Sequence, residues 1–89
     1  MRFLGYTEAA SFIAQHPLHG DTLRAWVSEI PYRDWRTPRA LTADFRSAEV
    51  TPPLAVFRLG TPPLRIETIV DFRNRIVLLT GIRTPMNIH

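Results

Sequence analysis

Eighty-nine residues, 45% of them hydrophobic, bound this chain to one domain with a single small core, spanning residues 1–89. The absence of cysteine excludes a disulfide framework and thiolate metal sites, and no run approaches the roughly 20 apolar residues of a membrane span. The net charge of +3 is uneven: Met1 to Phe57 sets six arginines against six acids, whereas Arg58 to His89 carries five arginines against two acids, so an anionic partner is expected on the last third unless this is an ordinary solvated sheet face.

The opening "MRFLGY" reads as a brief strand ending at Gly5. Thr7, Glu8 and Ser11 interrupt the apolar start, so it does not read as a signal peptide, and a cytoplasmic location is expected. Thr7 is a candidate N-cap for a helix to about His16, with Ala9, Phe12, Ile13 and His16 on one face. Asp21 is the next candidate cap, and Leu23, Trp26, Val27 and Ile30 repeat the spacing in a helix from about Thr22 to Ile30. Thr37 followed by Pro38 marks a third, short helix, with Leu41 and Phe45 one turn apart.

After Val50 the period changes to two. "TPPLAVFRLG" and "TPPLRIETIV" share TPPL at a spacing of ten residues, either a duplication or two strands that each begin after a Pro-Pro turn. In the second, Leu64, Ile66, Thr68, Val70 and Phe72 share one face, and Arg65, Glu67, Ile69 and Asp71 the other. "RNR" reads as a tight turn, and Arg75 to Thr80 as the last strand. The expected architecture is β-α-α-(short α)-β-β-β, a two-layer α+β domain whose strands form an antiparallel meander with one open face.

Few residues suggest chemistry. His16 and His19 form an HxxH pair, but Pro17 separates them and no further ligand lies nearby, so they read as loop histidines. Four glycines do not make a phosphate-cradling loop. Trp26 and Trp35 have rings that could stack on bases, although their positions suit core packing better. Arg65, beside Glu67 and Asp71, is either one member of a salt-bridge ladder or an arginine oriented by carboxylates to grip a phosphate.

The stretches "LRAW" (Leu23–Trp26), "DWRTPRALTADFRSAEV" (Asp34–Val50), "VFRLG" (Val56–Gly60) and "LRI" (Leu64–Ile66), together with "MRF" and the "HP" before the second helix, occur in an order that resembles HigB-type toxins of the RelE/ParE superfamily. The likeness runs to about Phe72, and its most distinctive part is the W-x-T-P-x-x-L-x-x-x-F-x-S-A run that begins at Trp35. The resemblance implies a RelE-like fold and an mRNA interferase that inhibits translation, often at the ribosome. It implies metal-free endoribonuclease chemistry with no cofactor, in which the ribose 2′-OH attacks the adjacent phosphate. Its implied partners are a cognate HigA-like helix-turn-helix antitoxin, mRNA and the ribosome, with no membrane. Arg65 stands at the family's phosphate-contacting strand arginine. Gly81, Arg83 and His89 match the closing spacing of RelE, with His89 in place of a tyrosine. Arg65, Arg83 and His89 are therefore the expected catalytic set, and Arg58, Arg73 and Arg75 the expected RNA-binding set. HigB-like chains usually close with Gly-Thr-His-x-x-Tyr-Asp, whereas here Ile82 and Arg83 follow Gly81, and Met86 or Asn87 stands where Tyr-Asp would fall. That departure keeps open a ParE-like inhibitor of DNA gyrase without catalysis, or a degraded toxin that only binds antitoxin or RNA.

Overall fold

The computed structural model describes residues 1–85. Strand β1 (Arg2–Leu4) ends at Gly5, whose φ of 130° lies in the left-handed region that favours glycine. A Cβ on Gly5 would lie 2.6 Å from the Leu79 Cβ, so a glycine here also lets the turn lie close against the sheet. The turn leads straight into α1 (Tyr6–Gln15), which places Thr7 inside the first helical turn rather than at its cap. Pro17 opens a single 3-10 turn, and α2 (Gly20–Glu29) follows with Asp21 in its first turn, where its carboxylate faces the positive end of the helix dipole. Helix α3 (Pro38–Asp44) starts as the sequence predicts. Thr37 is extended, its hydroxyl accepts the Ala40 N–H at 3.2 Å, and Pro38 follows it. Such a cap is worth about 1 kcal/mol.

Four strands follow: β2 (Glu49–Thr51), β3 (Leu54–Leu59), β4 (Leu64–Asp71) and β5 (Ile76–Arg83). Both β3 and β4 begin directly after a Pro-Pro pair, in keeping with the strand-start reading of TPPL. Strands β2 to β5 form an antiparallel meander; β2 is a short edge strand that the sequence pattern does not reveal. Strand β1 joins β5 in parallel, which makes the five-stranded sheet mixed, in the order β1-β5-β4-β3-β2. The result is a two-layer α+β domain whose helix-then-strand order is compatible with a RelE-like fold.

One face of the sheet carries the core. Leu64, Ile66, Thr68 and Val70 of β4 are buried, and the Thr68 hydroxyl is satisfied by the Ala55 carbonyl at 2.8 Å. Leu23, Trp26 and Ile30 from the α2 region and Leu41 from α3 are buried in the same cluster. The Phe57 ring sits at its centre, with Trp26 edge-on at 5.2 Å and Trp35 stacked at 6.0 Å. Both tryptophans are thus core residues. No described helix is long and apolar enough to cross a membrane.

Candidate nucleic-acid interface

The face opposite the core is built by strict alternation along β4. Arg65, Glu67, Ile69 and Asp71 point away from the buried residues, as the period-two pattern predicts. Cross-strand register then decides which side chains meet. Arg65 pairs with Arg58 of β3 and with Arg83 of β5, so three arginines from three adjacent strands stand in one row. The next outward-facing row holds Glu67, flanked by Gly81 and Val56, with Glu49 beyond Val56.

Arg83 owes its place in the row to a β-bulge. Leu79 pairs with Thr68 and Gly81 pairs with Glu67, which leaves Thr80 as an extra residue. The Thr80 hydroxyl donates to the Glu67 carbonyl at 3.0 Å. Unbroken alternation from Leu78 would turn Ile82 outward and Arg83 toward the core. Taking up one residue reverses this: Ile82 packs against the core and Arg83 comes to lie opposite Arg65.

The carboxylates organise the row. Glu67 accepts from the Arg65 Nε at 3.1 Å through one oxygen and lies 3.5 Å from the Arg83 Nε through the other. Both guanidiniums are engaged through Nε, so their terminal amino groups have no partner among the described residues. Those forks are the part of arginine that matches two oxygens of a phosphate. Arg58 is held by Glu49, Nη1 to Oε1 at 3.0 Å. A Cβ at position 81 would lie 2.8 Å from the Glu67 Oε1, so Gly81 leaves the room that this carboxylate occupies. Sequence reasoning saw Glu67 beside Arg65; it did not see that one carboxylate serves two arginines, or that Gly81 faces it.

Of the expected RNA-binding arginines, Arg58 joins the row, whereas Arg73 and Arg75 do not. Both lie in the β4–β5 turn, about 20 Å away along the strand from Arg65. Arg75 has a φ of 59°, and its Nε meets Asp34 at 3.2 Å. Asp71 is likewise engaged at that turn rather than with Arg65. It accepts the Asn74 backbone N–H at 2.9 Å and the Asn74 side-chain amide at 2.8 Å. His89 lies outside the described residues. His16 stacks on the Phe12 ring at 4.5 Å and, with His19, lines a pocket shared with Pro62, Thr84 and Pro85 just past the end of β5.

The Asp71 contacts have a pH consequence. The backbone hydrogen bond from Asn74, and then the one from its side chain, hold the Asp71 carboxyl below its ordinary value of 3.8. A folded-state value below the unfolded one means that this group adds stability above pH 3.8 and loses it as pH falls through the folded value. Asp71→Asn is therefore expected to show a shallower acid-side fall in melting midpoint than the parent below pH 3.8. Parallel melting curves from neutral pH downward test this, and identical slopes would contradict it.

No family model matches the sequence, and no curated protein matches it either.

Proposed function

We propose that this domain is the toxin of a type II toxin–antitoxin system and acts as a metal-independent endoribonuclease on mRNA. The observation that carries the reading is the row Arg58–Arg65–Arg83 on the open sheet face. Attack of a ribose 2′-OH on its neighbouring phosphate builds charge on the phosphate oxygens, and preset guanidiniums stabilise that charge without reorganising. Arg65 and Arg83 hold and neutralise the phosphate, Arg58 extends the track for the strand, and Glu67 fixes the first two. The products are a 2′,3′-cyclic phosphate and a free 5′-hydroxyl. His89, in the place of the RelE tyrosine, is the proposed proton-transfer group, because imidazole titrates near neutral pH. The implied partners are a HigA-like helix-turn-helix antitoxin and the ribosome, which places the activity in the cytoplasm.

A second reading, a ParE-like gyrase inhibitor or a toxin that only binds, is favoured by one feature. Among the described residues no histidine or tyrosine stands on the arginine row, whose immediate titratable neighbours are Glu67 and Glu49. RNA cleavage assayed with and without ribosomes, beside a gyrase supercoiling assay, separates the readings. Cleavage by the purified protein supports the first, whereas gyrase inhibition without cleavage sinks it.

Gly81→Ala tests the carboxylate bridge without removing a charge. The new Cβ displaces the flexible end of Glu67 rather than the backbone, so the fold should persist. The two arginines lose their shared anchor, and small misplacements are costly in catalysis, so roughly tenfold slower cleavage is expected. Unchanged cleavage by this variant would show that the bridge does not matter.

A further inference from the structure

The arginine row stands at one end of the sheet. Arg83 is the last residue of β5, Arg65 the second of β4 and Arg58 the last but one of β3. Beyond that end, on the side of the helices, an open pocket of about 640 Å³ lies between the α1–α2 connection and the strand ends. His16, Leu18 and His19 line it from the connection, Pro62 from the β3–β4 turn, and Thr84 and Pro85 from the chain just past β5. Pro85 is two residues from Arg83 and Pro62 three from Arg65, so the backbone at the pocket's lip is at most roughly 7–11 Å from the row. The volume lies in the range of small-ligand sites, roughly 300–1,000 Å³.

We infer that this pocket receives one unpaired nucleobase of an RNA whose phosphates lie on the arginine row, the strand crossing the end of the sheet between the two. The inference rests on the toxin reading in taking the row as an RNA track. Single-stranded RNA is recognised through splayed bases stacked on aromatic rings, imidazole among them. No histidine or tyrosine stands on the row among the described residues, whereas two imidazoles line the pocket beyond it. The His16 ring already stacks on Phe12, with centroids 4.5 Å apart and planes at 29°, which fixes its plane. A base in the pocket extends that stack. Gln15 and His19, also in the lining, carry donors and acceptors that can meet a base edge. Leu18 is 97% exposed at the rim, an apolar side chain that a bound base would cover. A metal ion fits less well, because no third His, Cys, Asp or Glu joins His16 and His19 among the described residues. An apolar peptide would make no use of the cations beside the pocket's lip.

The probe is a single-stranded 2′-O-methyl RNA of about eight nucleotides, labelled with a fluorophore, which binds without being cut. An oligomer of the same backbone with every base removed is titrated beside it against the full-length protein. His16→Ala is expected to weaken the base-bearing oligomer about tenfold and to leave the abasic one unchanged. His16→Phe, which keeps a ring on Phe12, should recover most of that loss. Leu18→Ser changes a side chain too exposed to matter to folding, and should weaken the base-bearing oligomer alone. Arg65→Gln should weaken both oligomers alike, since it removes a phosphate contact. In NMR spectra the His16 imidazole signals should shift on adding the base-bearing oligomer and stay in place with the abasic one. The inference is overturned if a folded His16→Ala protein binds both oligomers like the parent or loses both equally. Should His16→Ala fail to fold, an unchanged Leu18→Ser affinity together with unmoved His16 signals overturns it instead. Binding and cleavage of RNA with no base-dependent effect at His16 would sink the pocket and leave the toxin reading standing. Base-dependent binding at His16 without cleavage would keep the pocket and remove the nuclease. Binding of neither oligomer would sink both.

Discussion

Arg65→Ala is expected to slow RNA cleavage by about 100- to 1000-fold, the usual effect of removing one preset donor from a site that stabilises transition-state charge. Arg65 is central in its row, with Arg58 on one side and Arg83 on the other, and Glu67 fixes its Nε and so the direction of its fork. The fold should survive. Arg65 is half-exposed and its ion pair lies on an open face, where such pairs are worth about 0–1 kcal/mol. Arg65→Lys should recover little, since an ammonium can meet neither Glu67 nor two phosphate oxygens in the same planar geometry. Loss of one phosphate contact should also flatten the salt dependence of RNA affinity by up to about one unit on a log–log plot. A folded Arg65→Ala protein that cleaves at the parental rate would remove the row from the mechanism. A protein that loses cleavage together with its melting transition would say nothing of catalysis, so both are measured on the same preparation.

The arginine row was only partly legible in the sequence, for a definite reason. Alternation along β4 is regular, so the opposite faces of Leu64 and Arg65 follow from period two alone. The Thr37–Pro38 start and the strands after the Pro-Pro pairs are equally local, because the residue types that set them are the ones that form them. Register is not local. Nothing in "RLG" announces that Arg58 stands opposite Arg65, and alternation along "LLTGIR" turns Arg83 inward. The bulge at Thr80 corrects that parity, and its sequence trace is a threonine–glycine step that many loops share. Helix starts were off by a residue or two where a backbone conformation, at Gly5, took the place of a side-chain cap. Leu4, Leu78, Ile69 and Leu54 align across four strands on the open face, an alignment that no one strand's sequence carries.

Trp35 separates a structural from a nucleic-acid role most sharply. Its ring is 1% exposed, stacked on Phe57 and edge-on to Phe45 at 5.8 Å, and its indole N–H donates to Asp44 at 2.8 Å. Trp35→Ala should therefore cost about 3–5 kcal/mol, the range for emptying a large aromatic site. For a domain of this size that corresponds to a melting midpoint roughly 15–30 °C lower, and it removes much of a total stability of about 5–15 kcal/mol. Trp35→Phe keeps a ring in the stack but gives up the bond to Asp44, which retains Arg33 at 3.4 Å. Its cost should be about 1–2 kcal/mol. Trp26 is the control. It is as deeply buried, but its indole nitrogen has no hydrogen-bond partner among the described residues, so Trp26→Phe gives up no such bond and should be the milder change. The expected order of melting midpoints is Trp26→Phe above Trp35→Phe, with Trp35→Ala far below both. A base-stacking tryptophan predicts a different result: Trp35→Ala would melt like the parent, and RNA affinity alone would drop by about 1–3 kcal/mol. Melting curves, with RNA titrations on the fraction still folded at low temperature, decide between the two. A stable Trp35→Ala protein would overturn the placement of this ring in the core.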